Sequence, residues 1–124
     1  MIKMESVLII CDKAPFGTNL ANEAIRLGAG FLALGEDIDC KLVLIDDGIL
    51  FLKKNLNADL IGVEPISEGL EMADLSDLEI IVFKEDMDKF GLTQDDFIDY
   101  SNLAIKSKSE FSSIIAEFDG VFKI

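Results

Sequence analysis

The 124-residue chain contains no histidine. Without an imidazole, neither Ser-His-Asp nor Cys-His catalysis can be assembled within one chain, and histidine metal sites are excluded too. Cations are scarce as well. Lys and Arg number 11 against 24 Asp and Glu, Arg26 is the only arginine, and the net charge is −13. Phosphate contacts need clustered Lys and Arg, so direct binding of nucleic acid or of an anionic membrane is not expected. The acidity serves solubility. The two cysteines, Cys11 and Cys40, lie far apart without a Cys-x-x-Cys spacing. They offer neither a disulfide framework nor a zinc site. No apolar run approaches the ~18 residues of a membrane span. Met1 to Glu5 leads directly into a strand rather than a signal peptide. The reading is a cytoplasmic protein with no cofactor and no metal.

What is abundant is apolar surface. Half the residues are hydrophobic, and the mean hydropathy is +0.35. A single domain, 1–124, is long enough to bury one core. The apolar surplus predicts a subunit interface.

The run Val7-Leu8-Ile9-Ile10-Cys11 is too short for a buried helix and predicts a strand covered on both faces, central in a parallel sheet. Pro15 and Gly17 break it, and Thr18 or Asn19 can cap a helix. Apolar positions 20, 24, 27, 28, 31 and 32 give that helix one face, and Gly35 suits its C-cap. Residues 37–45 predict a second strand, closed by Asp46-Asp47-Gly48. Ile49-Leu50-Phe51-Leu52 then starts a short, very apolar helix. Four consecutive apolar residues cannot share one helical face, so of the two readings, core or interface, this run is assigned to an interface rather than to the core alone. Pro65 to Leu75 reads as a third helix, and Ile80 to Phe83 as a buried strand. Met87 to Gly91 reads as a helical turn or two, and Thr93 to Tyr100 as loop. Asn102 to Ile105 reads as a short strand. Ser107 and Glu110 have capping-box spacing ahead of the apolar stripe Phe111, Ile114, Ile115 and Phe118. Val121 to Ile124 closes the chain as a strand. The alternation predicts a three-layer α/β/α fold on a mainly parallel five-stranded sheet.

In such sheets ligands collect beyond the carboxyl ends of the strands. Asp12, Lys13, Ala14, Pro15, Phe16, Gly17 and Thr18 therefore form the first candidate binding loop, and Asp46, Asp47 and Gly48 the second. Cys11 is the candidate nucleophile, because Lys13 and a helix N-terminus would favour its thiolate. The plainer reading is a small buried hydrophobe, and that reading is stronger still for Cys40. Asp12, Asp46, Asp47 and Lys84 have the residue types of a phosphoacceptor site, but the acidic pair follows the second strand, and Asp47-Gly48 serves as a turn. One glycine in the 12–19 loop is too few for a dinucleotide or P-loop pattern.

Four pieces taken in order carry a family resemblance. They are Ala14-Pro15-Phe16-Gly17-Thr18, Asp47-Gly48-Ile49, Phe90-Gly91-Leu92 and Phe118-Asp119-Gly120-Val121-Phe122-Lys123-Ile124. Together they resemble the sulfur-relay family of DsrE, DsrF, TusC and TusD, nearest its DsrF/TusC branch. The resemblance implies flavodoxin-like layering and assembly into trimers or hexamers. The partners it implies are further copies of the chain or DsrE/TusD-like subunits. It also implies persulfide transfer between proteins, in tRNA thiolation or sulfur oxidation. Catalytic members carry a cysteine just after the strand that here ends at Phe83. That position is Val82 or Phe83, followed by Lys84. Neither side chain can attack a persulfide, so the expected role is a non-catalytic subunit. The alternative is a small-molecule or sulfur transferase, or a binder, using Cys11 and the 12–18 loop.

Overall fold

Every strand is parallel to its neighbours in the computed structural model, which describes residues 6–13, 20–33, 38–52, 77–97 and 100–124. The strands are β1 (Ser6–Cys11), β2 (Asp39–Leu44), β3 (Glu79–Phe83), β4 (Leu103–Lys106) and β5 (Gly120–Lys123). The described α-helices are α1 (Leu20–Ala33), α2 (Lys84–Lys89) and α3 (Phe111–Ala116). The expected helix over Pro65 to Leu75, the helix cap at Thr18 or Asn19 and the C-cap at Gly35 lie outside the described residues.

The sheet order is β4-β3-β2-β1-β5. The centre is therefore β2, not β1 as the sequence predicted. Val7 to Cys11 nevertheless lies inside the sheet, paired with β2 on one side and β5 on the other. Strands second from an edge are enclosed almost as fully as central ones, so an apolar run does not separate the two positions.

Alternate residues of the strands feed two cores. Val7, Ile9, Cys11, Leu42, Leu44, Ile80 and Val82 pack with Ala24 and Ile25 of α1. Leu8, Ile10, Val43, Ile81 and Phe83 pack with Ile114, Phe111 and Ile115 of α3. These are the three layers expected. The buried stripe of α1 is displaced from the predicted one: Ala24, Ile25, Gly28 and Ala29 are buried, whereas Leu27 is 38% exposed. Small residues let the helix approach closely, and a Cβ on Gly28 would already sit 3.0 Å from Leu78 Cδ2.

The segment after β2 also differs. Asp46–Leu52 forms a 3-10 helix, and Ile49, Phe51 and Leu52 are fully buried in the chain's own core. Side chains enclosed by their own chain cannot contact another, so the interface assignment is corrected for these three. Leu50 is half-buried against the same core. The Ser107–Glu110 capping box forms as expected, with Ser107 N–H donating to Glu110 Oε2 at 2.9 Å. It opens a 3-10 turn, Lys108–Glu110, that runs into α3.

Candidate functional site

Because all five strands are parallel, their carboxyl ends share one edge of the sheet. Neighbouring strands send their connections to opposite faces between β3, which runs on into α2 with Met87 in the α1-side core, and β4, which runs on to α3 in the other core; such a crevice is the usual ligand position.

Cys11 ends β1 on the α1 side and has no exposed surface. Its thiol lies 3.9 Å from the Lys13 carbonyl. Burial pushes its pKa up; the Lys13 backbone contact works the other way, and the charge of Asp12 adds to the rise. Of the two readings of Cys11, the structure has the small buried hydrophobe rather than the activated thiolate: desolvation outweighs the neighbouring cation. Cys40 is buried in β2, and its thiol is pushed up to about 12, again by burial and then by Asp39.

Asp12 holds two lysines, Lys13 at 3.2 Å and Lys123 of β5 at 3.2 Å. Its partial burial raises the carboxyl pKa, but the hydrogen bonds from Lys123 and Lys13 prevail and hold it below the usual range. Lys13 is exposed. The remainder of that loop, Ala14 to Thr18, lies outside the described residues.

Asp46 adopts a left-handed conformation, φ 53°, which aspartate tolerates better than most residues. Two bonds pin it. Its N–H donates to Asp86 Oδ2 at 3.0 Å, and its Oδ1 accepts from Lys108 Nζ at 2.8 Å. Lys108 Nζ also reaches Asp86 Oδ1 at 2.8 Å. Asp86 is only 2% exposed, so this network neutralises a carboxylate that would be costly to bury alone. Hydrogen bonds to Asp46 first, and then to Asp86, raise the Lys108 pKa. Glu85 braces the same corner, accepting from Lys108 N–H at 2.9 Å and from Ser107 Oγ at 3.1 Å. Segments following β2, β3 and β4 are thereby tied together. Asp86 and Lys108 were not found from sequence; Lys84, which was, is exposed. Asp47 is exposed too, and Gly48 packs beneath the Cys11 carbonyl.

Between these groups, on the α3 side, is a cavity of about 250 Å³. Ile10, Ile45, Phe111 and Ile115 form its apolar wall, and Asp12, Asp46 and Lys123 its polar rim. Val82 and Phe83 at the end of β3 are fully buried. Phe83 meets Phe111 edge-on, with ring centroids 5.4 Å apart. Among the described residues no group of His, Cys, Asp and Glu could hold a metal ion, and no helix is long and apolar enough to cross a membrane.

Sheet, layers and crevice define a small α/β protein of the doubly wound parallel class. The DsrE/DsrF-like family matches residues 5–124, and the chain belongs to it. It is 30% identical over 111 residues to the intracellular sulfur oxidation protein DsrF of Allochromatium vinosum, across 86% of this chain and 78% of that protein. It is also 30% identical over 101 residues to an uncharacterized protein of Methanopyrus kandleri, across 82% of this chain and 80% of that one. The crystal structure of the ychN protein from E. coli matches with a TM-score of 0.79 at 20% identity, covering 98% of this chain and all of that one. A protein of unknown function from Methanobacterium thermoautotrophicum matches with a TM-score of 0.68 at 12% identity. These two likenesses show the shared fold.

Proposed function

We propose that the chain is a non-catalytic subunit of a sulfur-relay assembly in the cytoplasm, in the manner of DsrF/TusC-like proteins. One observation carries the reading: no thiol is presented at the carboxyl edge of the sheet. The strand end that bears the nucleophile in catalytic relatives is filled by Val82 and Phe83, and both cysteines are buried with raised pKa values. A relay step needs an accessible thiolate to attack the donor persulfide. Intracellular sulfur oxidation, named for the Allochromatium relative, is the process this subunit would serve, with tRNA thiolation as the other setting.

The test is loading with a persulfide donor, followed by mass spectrometry of wild type, Cys11→Ser and Cys40→Ser. No added sulfur is expected in any of them. Stoichiometric labelling lost only in Cys11→Ser would overturn the subunit reading in favour of a transferase using Cys11.

A subunit needs contact surface. Among the described residues, Ile105 on β4 and Val121 and Phe122 on β5 are large, apolar and 38–41% exposed, all on the two outer strands. The protein is expected to be a trimer or hexamer, or to enter a hetero-oligomer with DsrE/TusD-like subunits. Light scattering at micromolar concentration should give a mass above the 13.6 kDa of one chain. A monomer mass there, and no association when DsrE/TusD-like subunits are added, would remove this part of the proposal.

A further inference from the structure

We propose that the 250 Å³ cavity beside β1 and β5 binds a free zwitterionic amino acid with a small apolar side chain. Its volume is below the ~300 Å³ at which cavities begin to accommodate drug-sized molecules, which limits the ligand to a few heavy atoms. Ile10, Ile45, Phe111 and Ile115 supply the apolar wall. The rim is polarised. On the β5 side, one carboxylate, Asp12, faces two lysines, Lys13 and Lys123. That group is left with one positive charge. On the β2 side, two carboxylates, Asp46 and Asp86, share one ammonium, Lys108. That group is left with one negative charge.

The two poles differ in what they can release. Lys108 is held by two contacts of 2.8 Å. Lys123 makes one contact of 3.2 Å with Asp12 and its side chain is 65% exposed, so it can turn onto an incoming carboxylate while Lys13 stays on Asp12. Asp46 offers its carboxylate to an incoming ammonium with its backbone already fixed by Asp86. Lys123 pairs in register with Ile10 of β1, and β2 lies on the other side of β1. The poles therefore stand on opposite sides of β1. The carboxylate and the ammonium of an amino acid can each meet one pole through a charge-assisted hydrogen bond. A lone anion would leave the excess carboxylate charge of the β2-side group uncompensated, and a lone cation the excess ammonium charge of the β5-side group.

The experiment is amide chemical-shift mapping of the full chain with L-leucine as probe. Isoamylamine, which lacks the carboxylate, and 4-methylpentanoate, which lacks the ammonium, are titrated in parallel. Leucine should shift the amides of Ile10, Asp12, Ile45, Asp46 and Lys123 saturably. Each half-head analogue should bind at least about tenfold more weakly, the effect of losing one hydrogen bond to a charged partner. Lys123→Gln should weaken leucine about tenfold and leave isoamylamine unchanged. Ile115→Trp, which fills the cavity without touching a charge, should abolish all three titrations while the remaining spectrum stays folded. Absence of shifts at about 10 mM leucine, tenfold above a millimolar dissociation constant, would overturn the proposal. So would equal affinity for the three probes, or leucine binding undiminished in Lys123→Gln.

Discussion

The Phe51→Ala protein is expected to lose about 3–5 kcal/mol of stability, the usual cost of truncating a buried phenylalanine, without losing its subunit contacts. Phe51 belongs to the 3-10 segment after β2 and has no exposed surface. It packs in the α1-side core with Ile49 and Leu52. Truncation removes a ring from a close-packed interior and leaves a cavity its neighbours fill only partly. Urea denaturation at one fixed protein concentration measures the loss, since association would otherwise shift the midpoint. A loss under about 1 kcal/mol, combined with dissociation of the assembly, would return Phe51 to the subunit interface that its sequence pattern predicted.

The Gly48→Ala substitution should cost about 1–3 kcal/mol, the range for forcing an extra carbon into a packed site. An alanine Cβ at Gly48 would stand 2.3 Å from the Cys11 carbonyl oxygen and 3.2 Å from its carbonyl carbon. That oxygen already accepts from Ile45 N–H at 3.0 Å, so the backbone, not a flexible side chain, has to move. Because the displaced peptide belongs to Cys11, faster reaction of its thiol with an alkylating reagent should accompany the loss. Gly30→Ala is the control. It lies within α1 with nothing within 4 Å of the added carbon, and should stabilise by up to about 1 kcal/mol through helix propensity. Equal effects of the two substitutions would show that the contact with Cys11 does not matter.

The contrast between these residues explains which parts of the fold were legible in the sequence. Runs such as Val7 to Cys11 and Ile80 to Phe83 specify buried parallel strands because both faces of the sheet are covered, and the runs say so locally. Ile49 to Leu52 is equally apolar, yet periodicity could not tell an element enclosed by its own chain from one that meets a partner. That distinction depends on what surrounds the segment. The α1 stripe failed for a related reason: close packing favoured Gly28 and Ala29 over the larger Leu27.

At the site, Asp12 and Asp46 were found because the ends of strands can be read from sequence. Asp86 and Lys108 were missed because the network joins residues 22, 40 and 62 positions apart. Nothing local marks Asp86 as the buried member of the Glu85-Asp86 pair. For Cys11 the sequence supports two readings, a small buried hydrophobe and a thiolate favoured by charged neighbours, and burial separates them.

The pairing of β1 with β5 has a consequence for how the chain is made. Val7 lies opposite Gly120, and Ser6 N–H donates to Asp119 Oδ2 across a separation of 113 residues. Chain synthesis proceeds from the amino end at roughly 5–20 residues per second, so β1 leaves the ribosome several seconds before its second neighbour. During that interval one of its edges presents unpaired N–H and C=O groups to any other strand nearby. The sheet closes only once β5 has been made, with a contact of very high sequence separation, the kind that makes folding slow. A nascent chain stalled before residue 120 should therefore be the species that binds chaperones and aggregates, whereas a chain extended through β5 covers that edge of β1.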